Sequence, residues 1–211
     1  MKRTNAEIRK QARQALETHW ADAAIVSLIY FFICPFIIWF SRLINHQAYF
    51  YIVWSLLCIP IHWGYTTYFQ LLFQGKKPGI KQLFIGYADF RRIFGTGFLQ
   101  GLYTFLAFLL FIIPGLIRSL EFSFVSFLLQ DNPQMKYHAA LRESRRLMKG
   151  YKMKLLMLYL SYLGWAGLCI LTFGFGFLIL QPYIRTSVAA FYHDIIGKEI
   201  APAPASAPQA E

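Results

Sequence analysis

The sequence predicts an all-α, polytopic membrane bundle of about six transmembrane segments, and three observations predict it. Apolar residues fall in uninterrupted blocks about twenty residues long, the length a helix rising about 1.5 Å per residue needs to cross a roughly 30 Å hydrocarbon layer. The 211 residues are 57% hydrophobic and only 15% charged, outside the range of soluble chains. The basic residues behind the net charge of +11 lie in the connections between the blocks, which is a topological pattern.

Residues 1–20 read as an amphipathic interfacial helix. Thr4 and Glu7 have the spacing of a capping box. Ile8, Ala12, Ala15, Leu16 and Trp20 recur at helical intervals, with Arg9, Lys10, Arg13 and Glu17 opposite, so the helix is expected to lie on the membrane surface. Residues 21–197 form one transmembrane domain. Its spans are expected near 21–40, interrupted by Pro35, and near 50–73, which contains Pro60 and the span's one ionisable residue, His62. Arg42 and His46 lie between them.

Ile80, Leu83, Phe84 and Tyr87 share one face of a second surface helix. A third span near 93–113 ends at the helix-breaking pair Pro114–Gly115. Residues 116–130 reach only about 22 Å as a helix, so they form either a short span or a re-entrant segment. Asn132 and Pro133 are expected to start a basic helix that ends near Gly150. On that helix Tyr137, Leu141, Ser144 and Met148 share one face, and Arg142, Arg145, Arg146 and Lys149 another. The fifth span, near 155–180, carries LTFGFGF, where small residues would admit a neighbouring helix. It is expected to stop at Gln181–Pro182, before a last segment near 183–197. The Pro/Ala-rich tail 198–211 is too poor in large apolar residues to pack and reads as disordered.

Eighteen of the 21 Lys and Arg residues lie before the first span, between spans two and three, between spans four and five, or after the last. Placing all of these on the cytoplasmic side requires an even number of crossings between them, and six crossings with both termini inside satisfy this. A re-entrant hairpin at Pro114 would return the chain to the same side. With the spans removed, no basic and aromatic surface remains for nucleic acid. Cys34, Cys58 and Cys169 all fall within apolar blocks without metal-ligand spacing. No cleavable signal peptide is read, because the first apolar block is too long for an h-region and has no small-residue cleavage site.

Arg118 and Glu121 are three apart, close enough to pair on one helix face. In the six-span threading they lie near the outer end of span four, at a depth similar to Arg185 in span six. Both segments are short and follow a proline, the pattern that marks binding sites in transporters. With His62 these residues define a candidate outward-facing polar pocket. The competing reading is that the charges satisfy each other or snorkel to headgroups. Arg142, Arg145, Arg146 and Lys149 are candidates for contact with anionic lipid headgroups on the cytoplasmic side. The sequence holds no HExxH, no GxSxG and no phosphate-cradling glycine loop, and no metal, cofactor or catalytic residue is predicted. Gly95, Gly97 and Gly101 fit helix packing better. Asp131 and Asp194 read as capping or solvated groups.

The runs IIPGLI, SFVSFLLQDNP, ALRESRRLMKGYKMKLLMLYLSYLGW and LTFGFGFLILQPYIRTSVAAFY resemble the bacterial integral-membrane family catalogued as domain of unknown function 975. The resemblance implies a multi-pass protein of the bacterial cytoplasmic membrane, with no assigned activity, ligand or catalytic residues. Together these readings lead to a non-enzymatic membrane scaffold, or a protein interacting with lipid, a membrane-protein partner or its own copies. The alternative is a small-molecule or ion transporter using the polar pocket.

Overall fold

The computed structural model describes residues 4–17, 19–44, 48–135, 137–172, 174 and 176–200; most side chains in 34–55 and those of 198–200 fall outside that description. The side chains of Cys34 and Arg42, together with His46 and the tail 201–211, therefore lie outside it. Among the described residues the chain is helical, with no strand. Among those residues three stretches are long and apolar enough to cross a membrane: Phe90–Leu110, Ile112–Asp131 and Lys152–Leu171.

Helix α1 (Asn5–Glu17) opens with the capping box. The Thr4 N–H donates to Glu7 Oε2 at 2.7 Å, and the Glu7 N–H donates to Thr4 Oγ1 at 3.3 Å. Its apolar stripe does not face outward, because Ile8, Ala12 and Leu16 are fully buried inside the protein. Ile8 joins the main core with residues of α8 (Lys152–Leu160) and α10 (Phe177–Ile200). Asn5 Nδ2 donates to the Lys154 carbonyl at 3.3 Å, and Tyr183 OH to the Arg9 carbonyl at 3.2 Å. The stripe that amphipathicity assigns to lipid thus packs against neighbouring helices.

Helix α2 (Trp20–Ile44) runs helical through Pro35 and packs beside α3 (Ala48–Phe73). Residues 80–87 are a helix, but a 3-10 one, Ile80–Tyr87. Three residues per turn align every third side chain, so Leu83 and Gly86 turn inward while Phe84 and Tyr87 are exposed. This segment sits on α3 through two glycines. A Cβ on Gly64 would run into the Leu83 carbonyl, and one on Gly86 into the Pro60 carbonyl.

Helix α4 (Phe90–Leu110) and α5 (Ile112–Glu121) form a hairpin whose corner is Phe111, with extended φ −163° and ψ 155°. The corner therefore precedes Pro114–Gly115, where the sequence placed it. Pro114 lies in the first turn of α5, where a missing amide hydrogen costs nothing because it has no intrahelical acceptor. Gly115 packs on the Phe108 ring, leaving no room for a Cβ. The chain continues through 122–124 into α6 (Val125–Asp131), so the fourth apolar segment spans 20 residues rather than fifteen.

Helix α7 (Tyr137–Leu147) begins later than Asn132–Pro133 implies. The Asn132 amide instead donates back to the Leu128 carbonyl at 3.3 Å, closing the end of α6. The Tyr137 N–H donates to Thr96 Oγ1 at 3.1 Å, and Arg92 Nη1 reaches the carbonyls of Leu129 and Met135. Leu141, Ser144 and Met148 are buried as predicted, joined by Leu147, but Tyr137 of the same predicted face is exposed; Arg142, Arg145, Arg146 and Lys149 are exposed.

The boundary after α8 also differs. Helices α8 and α9 (Leu163–Leu171) end before residues 172–176, and α10 starts at Phe177, so Pro182 lies inside a helix instead of ending one. Gly174 adopts φ 89°, the left-handed region, and the Gly176 N–H donates to Thr172 Oγ1 at 3.1 Å. A Cβ on Gly176 would press on Cys169. The glycines of LTFGFGF make the reversal rather than a flat face for another helix.

Candidate functional site

The residues predicted to share one pocket are divided between two places. Arg118 and Glu121 pair as their spacing predicts, with Arg118 Nη1 donating to Glu121 Oε2 at 3.0 Å. Glu121 is 4% exposed, and its carboxylate has two further cations. Lys152 Nζ donates to Oε1 at 2.6 Å, and Arg145 Nε lies 3.7 Å from Oε2. Both belong to the basic stretch that follows the fourth apolar segment, so Glu121 sits at the level of that stretch. The same place is fixed through the backbone. The Ser144 hydroxyl donates to the Glu121 carbonyl at 2.6 Å and accepts from the Phe124 N–H at 3.3 Å, serving two groups that the break between α5 and α6 leaves open.

Beside this cluster runs a groove of about 580 Å³ between the α4/α5 hairpin and α7. Tyr103, Leu106, Leu110 and Pro114 give it an apolar wall, and Arg118, Arg142 and Arg145 a basic one. Of the four lipid-headgroup candidates, only Arg142 and Arg145 line it. Arg146 turns to Glu143, with Nε and Nη2 donating to the carboxylate at 2.6 to 3.1 Å. Those hydrogen bonds hold the Glu143 carboxyl below its ordinary value. Lys149 is exposed and is not among the residues lining the groove.

His62 and Arg185 come together elsewhere, in a cavity of about 370 Å³ where α3, α4, α5, α6, α8 and α10 converge. His62 Nδ1 is hydrogen-bonded to Tyr30 OH of α2 at 2.8 Å, the neighbouring-helix partner expected of a histidine in an apolar span. The Arg185 guanidinium lies 5.9 Å from the centre of the Tyr65 ring. Of the glycines read as packing residues, Gly95 abuts the Tyr137 ring and Gly97 abuts Ile59, while a Cβ on Gly101 would meet nothing.

Sequence reasoning missed the role of Asp131. Its carboxylate accepts from Gln70 Nε2 at 2.8 Å and from Tyr192 OH at 2.7 Å, clamping α3, α6 and α10 together. Neither partner repeats at a telling interval, so long-range proximity alone reveals them. Asp194 has Lys154 Nζ at 3.8 Å. Among the described residues no group of His, Cys, Asp and Glu is placed to hold a metal ion, and Cys58 and Cys169 are free thiols.

The hairpin tip and α9 are apolar and uncovered, with Leu109 73%, Ile112 72% and Leu171 77% exposed. Uncovered apolar surface on this scale marks contact with lipid or a partner. No curated protein and no solved structure matches the chain. Residues 101–199, which hold Glu121, all of α7 and Arg185, match the family model described as Protein of unknown function (DUF975), the family that the sequence resembles.

Proposed function

We propose that the protein is a non-enzymatic, multi-pass protein of the bacterial cytoplasmic membrane, with both termini on the cytoplasmic side, that binds anionic lipid headgroups in the groove between α7 and the α4/α5 hairpin. The groove carries this reading. It sets Arg118, Arg142 and Arg145 against an apolar wall continuous with the uncovered hairpin tip, so a headgroup and the start of its acyl chains meet matching surfaces. Each basic residue near an anionic surface contributes on the order of 1 kcal/mol.

Glu121 favours a hairpin that enters and leaves on the cytoplasmic side over two full crossings. Its carboxylate shares Lys152 and Arg145 with the headgroup level, and only ten residues of α5 separate it from Phe111. Ten residues rise about 15 Å, half of a roughly 30 Å core, so this reading requires the 21 residues of α4 to run obliquely to the membrane normal. The six predicted segments then amount to four crossings and one re-entrant hairpin.

Native mass spectrometry of the protein purified in uncharged detergent, with phosphatidylglycerol or phosphatidylcholine added, tests the lipid reading. Phosphatidylglycerol is expected to remain bound preferentially, less so as salt rises. Arg142→Gln with Arg145→Gln removes the preference, whereas Arg146→Gln, which changes a residue already paired with Glu143, leaves it. Equal retention of both lipids, or an unchanged preference in the double variant, overturns the reading.

A further inference from the structure

We infer that the cavity around Arg185 is a binding site for an oxyanion, a carboxylate or phosphate group, either free or carried by an amphiphile. Arg185 is half-buried on α10, and among the described residues no carboxylate pairs with it. It lies over the Tyr65 ring, which attracts the cation but supplies no counter-charge. A guanidinium is always charged, so its partial burial stays costly until an anion joins it.

The rest of the lining suits such an anion. Ser119, Ser123, Ser126, Thr66, Gln100 and Tyr159 bring hydroxyl or amide groups to the cavity, and none of the residues that line it is acidic. The Ser119 hydroxyl donates to the Leu116 carbonyl at 2.8 Å, that of Ser123, just beyond α5, to the Ser119 carbonyl at 3.1 Å, and Thr66 to the His62 carbonyl at 3.0 Å. Hydroxyl protons rotate, so each can turn to an oxyanion. Arg185, with a planar fork of five donors, is the group best shaped for two oxygens at once.

The volume of about 370 Å³ falls within the roughly 300–1,000 Å³ of small-ligand sites. A second cavity of about 650 Å³ adjoins it, sharing His62, Gln100, Ser119 and Ser126, and continues between Ile59, Phe105 and Phe108. The pair is polar at the Arg185 end and apolar at the other. An oxyanion with an apolar tail fills both, whereas a free oxyanion fills the first alone. This site shares Phe122 but no charged or hydrogen-bonding side chain with the α7 groove, so either can fail while the other stands.

The test uses the full chain in uncharged detergent at constant ionic strength, following thermal unfolding and intrinsic fluorescence. Inorganic phosphate is titrated in one arm and octyl phosphate in the other. Saturable stabilisation is expected in at least one arm: in both for a free oxyanion, in the second alone for an amphiphile. Arg185→Gln weakens it by about tenfold or more, the loss of a charge-assisted contact, while Arg185→Lys retains most of it. Gln100→Leu weakens it severalfold without touching the charge, and Lys149→Gln on α7 leaves it unchanged. No saturable response in either arm at millimolar ligand, or equal binding by a folded Arg185→Gln protein, overturns the assignment.

Discussion

Lys152 Nζ lies 2.6 Å from Glu121 Oε1, joining the first turn of α8 to the last turn of α5. The contact places a buried carboxylate where three cations converge, two of them thirty-one and twenty-four positions later in the chain. Glu121→Gln would leave Arg118, Arg145 and Lys152 facing one another without a counter-charge. Removing one partner of a fully buried pair costs about 3–5 kcal/mol, but these cations are a third to over half exposed, so about 2 kcal/mol is expected here. Thermal unfolding in detergent reads this as a fall of several degrees, and Lys152→Met added to Glu121→Gln recovers part of it. Wild-type stability in Glu121→Gln would show that the cluster contributes nothing net.

The burial of Ile8 and Leu16 distinguishes packing from surface attachment. Ile8→Ala or Leu16→Ala opens a cavity against the bundle and is expected to cost about 2–4 kcal/mol. A helix whose apolar stripe merely touched lipid would lose far less in detergent. Unfolding midpoints of the two variants, set beside that of the exposed-site control Lys10→Ala, decide between these outcomes.

Gly64 and Gly86 bring α3 and the 3-10 segment into backbone contact, so an added methyl group meets a carbonyl that cannot rotate away. Gly64→Ala and Gly86→Ala should each destabilise by at least the 1–3 kcal/mol or so typical of overpacking. Gly101→Ala, where a Cβ meets nothing, serves as the comparison and should be neutral or slightly stabilising. Similar midpoints for all three would mean that the two segments do not meet in this way.

A cysteine placed at Phe111 reports how far the hairpin reaches. If α4 and α5 enter and leave on the cytoplasmic side, a membrane-impermeant maleimide applied outside leaves it unlabelled, while the same reagent inside inverted vesicles reaches a cysteine at Lys149. Outside labelling at 111 would restore two full crossings and raise the total to six.

Much of this fold is legible locally. The capping box at Thr4, the two faces of α7 and the Arg118–Glu121 pair are set by spacings of three and four residues, and the structure contains them. The departures arise where one residue type serves two ends. Asn132 suits the start of a helix but closes the preceding one, and Pro114 suits a corner but also the first turn beyond it. Hydropathy could not separate α9 from α10, because the glycines that reverse the chain are as apolar as the helices around them. The division of the candidate pocket has the same root. Depth in a threading diagram does not determine which side of a helix a charge leaves from, so Arg185 met His62 and Glu121 met Lys152.

The two-glycine contact also bears on the cavity beside it. His62 is two residues from Gly64, and the Gly64 carbonyl accepts from Thr67 at 3.1 Å, whose hydroxyl accepts in turn from Gln82 at 3.3 Å. The α3 side of the cavity is thereby locked at successive turns. The opposite side is built on α5 and α6, whose helix is broken at 122–124, where Ser144 and the cations around Glu121 tie it to α7 and α8. The two walls of the cavity are thus unlike: the α3 wall is a continuous helix backed by a neighbouring segment, and the α5–α6 wall carries a break in its own hydrogen-bond ladder.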